Sequence, residues 1–569
     1  MVRRLEETGR YRVLRKLEAR AIADAPRPGF PLQGVVVDTE TTGLNARKDE
    51  IIEIGIVAFS FDEAGNIGDV TGVYGGLQQP SAAIPADITR LGGLDLGGVR
   101  GFDALARKIG DHAKANPQAA VLRATGADHE ILPGGERITR HHLDRIVADR
   151  PFAMTAAEGH TMWVNTRALE AAGLLHGRDL PPGNEILMGA DGLAGGELRE
   201  WGAFEPVLEL SGELRLSLGL ITGGEPARPP TEAERTADRE MTKRGLAYCA
   251  SQGITSLHNM DGNLYQLELL AEIEAEGALS VRAQIPFHYK NFMTPDVLEK
   301  ASVMAERYRS EWLSSGMVKA FMDGVLDSWT AYMHEPYADR TDWHGEPLFT
   351  QEHFNAFAAE ADRRGLQIAV HACGDGSVRS ILDGYEHARR MNGPRDSRHR
   401  IEHVEVIRPA DIRRLVDLGV IAAMQPQHPP GAMNLPLEPT LSRVGRARWP
   451  YAWASRTLRE AGAHIPFASD WPVSPISPLL GIQAAIRRKP FAPGYPDQSC
   501  TLMEALAAYT VEGAYAQFME HRKGRLKCGY LADIVVLSKD IGAMQADVLQ
   551  EAEPAITVCG GKVSYRRGA

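Results

Sequence analysis

"LQIAVHACGDG", residues 366–376, is an apolar run that closes on a histidine, and "HRIEHVEV", residues 399–406, repeats the pattern one helix-length further on. Short apolar runs of this kind, bounded by glycine and polar residues, read as strands buried on both faces. Around them, "TQEHFNAFAAEADRRG" (350–365) and "RPADIRRLVDLG" (408–419) carry helical periodicity, and both close on Gly as a helix C-cap should. Strand alternating with helix predicts an α/β fold with parallel strands, a texture that starts near residue 94. After residue 250 seven such strands are legible: "GITSLHNM" (253–260), "VRAQIPF" (281–287), "VKAFMDG" (318–324), "LQIAVHA" (366–372), "RIEHVEV" (400–406), "IAAMQPQ" (421–427) and "IPFASD" (465–470).

His371, His403 and Asp470 fall at the C-terminal ends of three of these strands, and Lys319 lies inside another. In a (βα)8 barrel those ends converge on the active face. His371 and His403 are one βα unit apart, and His403 and Asp470 two. A single histidine closing an apolar strand is more often structural than a ligand. A lysine in an apolar strand is costly unless it is paired or chemically altered. Four such residues at matching strand positions point to a shared site.

The segments "GMVKAFMDGVLDS" (316–328), "IAVHACGDGSV" (368–378), "HRIEHVEVI" (399–407), "PFASDWPVSPISPL" (466–479), "AYTVEGAYA" (508–516) and "KGRLKCGYLADIVVLSKD" (523–540) resemble successive signatures of the amidohydrolase superfamily. So does "DRPFAMTAAEGHTMWVNTRALEAAG" (149–173). The branch they are similar to is amidohydrolase-3, the YtcJ-like and N-substituted formamide deformylase-like group. The resemblance runs over about residues 94–569 and implies a (βα)8 barrel with a small β-sandwich. By it, Lys319 is the N-carboxylated lysine bridging two divalent metals, and His371 and His403 ligate the more exposed one. Asp470 ligates the buried metal and serves as general base, and His160 lies near the substrate. Neutral imidazoles suit Zn2+, which lowers the pKa of bound water to about 7 and polarises a scissile carbonyl. Carbamylation converts a cationic lysine into an anionic bridge, which removes the buried-charge problem.

The same family carries an H-x-H pair on its first barrel strand, and none of the eighteen histidines here forms one. "LDLGGVRGFDALARKIGDHAKANP" (94–117) resembles the family's segment just past that strand. The first strand and the front half of the sandwich are therefore missing or replaced, while the other half remains at 523–569. One metal per chain is expected rather than two, with reduced activity. A barrel short of one strand exposes two sheet edges, and "GVVVDTETTG" (34–43) is the candidate to fill the gap.

That candidate belongs to a different texture. Behind a basic leader and a Pro-rich break, "ADAPRPGFPLQG" (23–34), strand-like runs at 34–38, 51–61 and about 69–80 predict an antiparallel meander. Asp38 and Glu40 are two residues apart at a strand end, so they share a face, and paired carboxylates suit Mg2+. "VVVDTETTGLNARKDEIIEIGIV" (35–57), with "IPADITRLGG" (84–93) behind it, resembles the first motif of DEDD-type 3'-5' exonucleases, the polymerase III epsilon-like group with an RNase H-like fold. The later motifs, with two further carboxylates and a histidine base, are not present. A two-metal phosphodiester site needs all four carboxylates, so the fragment is not expected to be an active nuclease. The expected domains are 1–93 exonuclease-like, 94–522 barrel with an insertion, and 523–569 residual sandwich.

The charge of -11 and pI near 5.9 provide no field to hold a polyanion, so nucleic acid is not an expected partner. No apolar run is long enough to span a membrane, and the charged N-terminus has no signal-type core, so the expected location is the cytoplasm. Five scattered cysteines without a C-x-x-C pair argue against disulfides or a zinc knuckle. The expected function is hydrolysis of a C–N bond in a small amide-like or formamide-like molecule, in a chain compatible with a homo-oligomer. The alternatives are a catalytically dead fusion remnant and an exonuclease working through Asp38 and Glu40.

Overall fold

The computed structural model describes residues 94–568, apart from positions 118, 134–135, 157–158, 181–182, 212–213 and 227, together with the backbone of three earlier strands. The chain divides into two units, residues 1–86 with 567–569, and residues 87–566.

In the first unit, β1 (Leu32–Thr41), β2 (Ile51–Phe61) and β3 (Ile67–Leu77) form the antiparallel meander that the turns predict. Asp38 stands opposite Gly55 and Glu40 opposite Glu53. The side chains of Asp38 and Glu40, and with them the expected Mg2+ site, lie outside the described residues. The meander is a three-stranded sheet of its own, so β1 is not the strand that completes the parallel sheet. Its short polar connections to β2 and β3 allow antiparallel pairing only.

The second unit is built on parallel strands. β10 (Ser256–His258) pairs with β11 (Arg282–Gln284), which pairs with β13 (Leu313–Ser314). The same segments resume as β12 (Phe287–His288) and β14 (Met317–Phe321). Pairing then runs on to β15 (Gln367–Ala372), β16 (Arg400–His403) and β17 (Ile421–Ala423), and a parallel bridge joins Met424 to Phe467. The seven segments read from the sequence thus stand side by side in chain order. β15 and β16 are buried at every residue, as strands covered on both faces must be.

Helices between the strands obey their local signals. Thr350 Oγ1 accepts the His353 amide at 3.2 Å to start Gln351–Arg363, whose Phe354, Phe357 and Ala361 face the core. Beyond that helix and beyond Pro409–Asp417 stand Gly365 and Gly419 at φ 76° and 68°, the left-handed stop that glycine adopts without a Cβ clash.

Residues 94–199 form a second sheet, ordered β4 (Leu94–Asp95), β5 (Leu122–Ala127), β6 (Phe152–Ala156), β7 (Thr161–Val164), β9 (Ala194–Arg199), β8 (Glu185–Met188). The parallel texture expected from residue 94 holds only as far as β6. From β6 to β8 every pairing is antiparallel, and the turn between β6 and β7 is too short for a parallel crossover.

β18 (Ile534–Leu537), β19 (Pro554–Cys559) and β20 (Lys562–Arg566) make an antiparallel sheet where the residual sandwich half was expected. It is tied to the parallel sheet by Arg282 with Asp533 at 3.0 Å, and to the helix Glu232–Ser251 by Thr557 Oγ1 donating to Ala250 O at 2.8 Å. Among the described residues no helix is long and apolar enough to cross a membrane.

Candidate metal centre

Parallel register brings the strand ends together. Phe321 pairs with His371, and Ala372 with His403. The rings of His371 and His403 lie 4.5 Å apart, centroid to centroid. His403 is stacked on His428, from the loop after β17, at 5.8 Å and 12°. Asp470, just past the Phe467 bridge, has Oδ2 4.0 Å from His428 Nε2. His160 comes from the β6–β7 turn to within 5.4 Å of the His371 ring, and its Nδ1 is 2.8 Å from Glu200 Oε2. His371, His403 and Asp470, singled out in the sequence, therefore meet with His160 beyond the C-terminal ends of the parallel strands.

The hydrogen bonds decide which imidazole nitrogens are free. His371 Nε2 donates to Gly324 O at 2.9 Å, which leaves the Nδ1 lone pair. His403 Nδ1 donates to Gln425 Oε1 at 2.8 Å, which leaves Nε2. Burial lowers the pKa of both rings below the ordinary histidine value, and the neutral ring is the metal-binding form. Burial pulls Asp470 upward, but His403, His428 and Lys319 together hold it below the usual carboxylate value. It is therefore ionised.

Lys319 is 3% exposed, with Nζ 4.4 Å from the centre of the Phe321 ring. Burial pushes its pKa down to about 8, against the pull of Glu402 and Asp470. Glu402 is itself taken up by Arg400, at 2.8 and 3.0 Å.

Several site residues carry no signal that sequence reasoning used. Asp323 accepts the amides of Cys373 (3.1 Å), Gly374 (2.8 Å) and Tyr332 (2.9 Å), clamping the end of β14 to the end of β15. Burial still pushes its carboxyl up to about 7, with those amides opposing. Gln425, Glu200 and His428 were also missed, although "QPQHP" (425–429) comes after a strand end as the recognised motifs do. His403, Val404 and Asp470 have φ of 77°, 46° and 57°. Left-handed backbone at non-glycine residues costs about 1–3 kcal/mol each and collects at functional sites.

Two groups can each converge three donors within 4.8 Å: Asp323, His371 and Cys373; and His403, His428 and Asp470. Free imidazole lone pairs, an ionised carboxylate and a buried His428 Nε2 without a hydrogen-bond partner make up a nitrogen and oxygen donor set that fits a divalent ion such as Zn2+.

Comparison with known proteins gives two family matches, an amidohydrolase family over residues 87–565 and an exonuclease family over residues 35–95. The putative amidohydrolase YtcJ of Bacillus subtilis is 28% identical over 83% of this chain and 85% of its own length. The N-substituted formamide deformylase of Arthrobacter pascens is 24% identical over 82% and 83%. Among solved structures, an uncharacterized metal-dependent hydrolase from Pyrococcus horikoshii superimposes with a TM-score of 0.61 at 24% identity, covering 81% of this chain and 84% of that one. A similarly described protein from Pyrococcus furiosus gives 0.56 at 23%, covering 88% and 97%.

Proposed function

The chain belongs to the amidohydrolase family, and on that premise we propose that it hydrolyses a C–N bond in a small amide-like or formamide-like molecule, using one divalent ion. The parallel sheet is read as a (βα)8 barrel lacking its first strand. The observation that carries the proposal is the meeting of His371, His403 and Asp470 beside the buried Lys319, with the lone pairs of both imidazoles left free by bonds to Gly324 and Gln425.

A bound Zn2+ would supply a water of lowered pKa and polarise the scissile carbonyl. The chain's own residues do the rest. Asp470, held ionised, takes the proton from the attacking water and passes it to the departing amine. Lys319 makes no ion pair among the described residues. Addition of CO2 to its neutral amine forms an N–C bond, releases one proton and leaves an anion in place of a buried cation. His160, bonded through Nδ1 to Glu200 and 5.4 Å from the His371 ring, is the proposed substrate-side residue.

The test is elemental analysis of the purified protein and of His403→Ala, with turnover on a panel of amides and N-substituted formamides. About one zinc per chain, lost in the variant together with turnover, supports the proposal. Absence of metal from the wild type, or a metal content indifferent to His403→Ala, identifies a catalytically dead remnant. Asp38→Ala is expected to leave amide turnover unchanged.

A further inference from the structure

We infer that His428 is a metal ligand which, with His403 and Asp470, forms a three-donor site that compensates for the imidazole pair this chain lacks. The inference rests on the proposed metal-dependent hydrolysis and names the residues that hold the ion.

Three observations carry it. His428 Nε2 is buried and has no hydrogen-bond partner, a condition that costs about 1–3 kcal/mol for an ordinary polar group. Its surroundings are ligand-like: Asp470 Oδ2 lies 4.0 Å from Nε2, and Glu405 Oε1 lies 3.7 Å from Nδ1. These gaps are too long for hydrogen bonds, yet Nε2 and Oδ2 are near enough to share an ion that sits about 2.0–2.2 Å from each. The third donor, His403, is stacked on the His428 ring and keeps its Nε2 free because Nδ1 is bound to Gln425. Two imidazoles and one carboxylate, with a fourth position left for water, make a catalytic zinc set.

The competing group, Asp323, His371 and Cys373, is already satisfied. Three backbone amides occupy the Asp323 oxygens. Cys373 Sγ lies 3.6 Å from His371 Nε2, the nitrogen whose proton goes to Gly324, and so faces a donor rather than a lone pair. That cluster is a clamp, and it supports the site from behind.

The distinguishing feature is chain placement. His403 ends β16, His428 comes after β17, and Asp470 follows the segment that the Met424–Phe467 bridge joins to the β17 side. Three consecutive segments of the sheet therefore each contribute one donor.

The experiment is Co2+ titration of the metal-free full-length protein, read by absorption spectroscopy, for the wild type, His428→Ala, His371→Ala and His428→Cys. His428→Ala is expected to weaken cobalt binding by more than the roughly 10–100-fold typical of losing a supporting hydrogen bond. His428→Cys is expected to bind cobalt with a near-ultraviolet thiolate charge-transfer band that the wild type lacks, a signature no structural role for His428 would produce. Binding unchanged in His428→Ala with no band in His428→Cys overturns the inference, and leaves the hydrolase reading standing if His371→Ala loses the ion. A thiolate band in the wild type places the ion on Cys373 and overturns it as well. A wild type that binds no cobalt overturns both readings.

Discussion

Gln425 Oε1 lies 2.8 Å from His403 Nδ1, so an amide just beyond one strand fixes the tautomer of a histidine on the next. Outer partners of this kind orient a ligand and raise its basicity. Gln425→Leu is therefore expected to lower zinc affinity by about 10–100-fold, measured by competition with a chelator. Gln425→Glu, which keeps an acceptor at the same distance, is expected to recover much of the loss.

Gly374 is the next point of control. A Cβ there would sit 2.0 Å from the carbonyl oxygen of Tyr332, while the Gly374 amide is one of the three donors to Asp323. Gly374→Ala is expected to destabilise the fold by about 1–3 kcal/mol through overpacking, read from urea unfolding. Because the clamp adjoins His371, zinc affinity should fall in the same variant.

Arg282 and Asp533 form a buried pair, with side chains 3% and 7% exposed. Removing one partner strands the other charge out of water, so Arg282→Met is expected to cost about 3–5 kcal/mol. Replacing both, as Arg282→Met with Asp533→Leu, is expected to restore most of that stability. A double-mutant cycle in urea measures the difference, with metal content as a check that the site is untouched.

Lys523 provides a pH test away from the site. Burial lowers its pKa to about 8, against the attraction of Asp533, while an unfolded lysine stays near its ordinary value of about 10.4. Between those values the unfolded chain binds more protons than the folded one, so the folded state gains stability as pH rises. Relative to Lys523→Met, the wild type is expected to gain up to about 3 kcal/mol between pH 8 and pH 10.5. Paired urea titrations across that range check it, and a flat difference would contradict the buried-cation account.

The strand ends were legible because parallel strands buried on both faces leave an unmistakable apolar run, and a polar residue closing such a run stands out. His371, His403 and Asp470 were found that way, and Lys319 as a lysine inside such a run. The antiparallel pairing beyond β6 was not, since apolar runs look alike in either orientation and only the length of the connecting turn tells them apart. His428, Gln425, Glu200 and Asp323 lie in loops or on turns with no periodicity to mark them, so nothing local distinguishes a ligand from a solvated side chain there.

By itself the sequence determined the succession of strand segments after residue 250, the residues offered at their ends and the lack of an H-x-H pair, because these depend on local pattern and composition. Tertiary structure decided which nitrogen of His371 and of His403 is bonded, that Asp323 accepts three backbone amides, and that His428 faces Asp470 across a gap too long for a hydrogen bond. Those properties arise from contacts between segments far apart in the chain, where distance and burial, not residue type, set the chemistry.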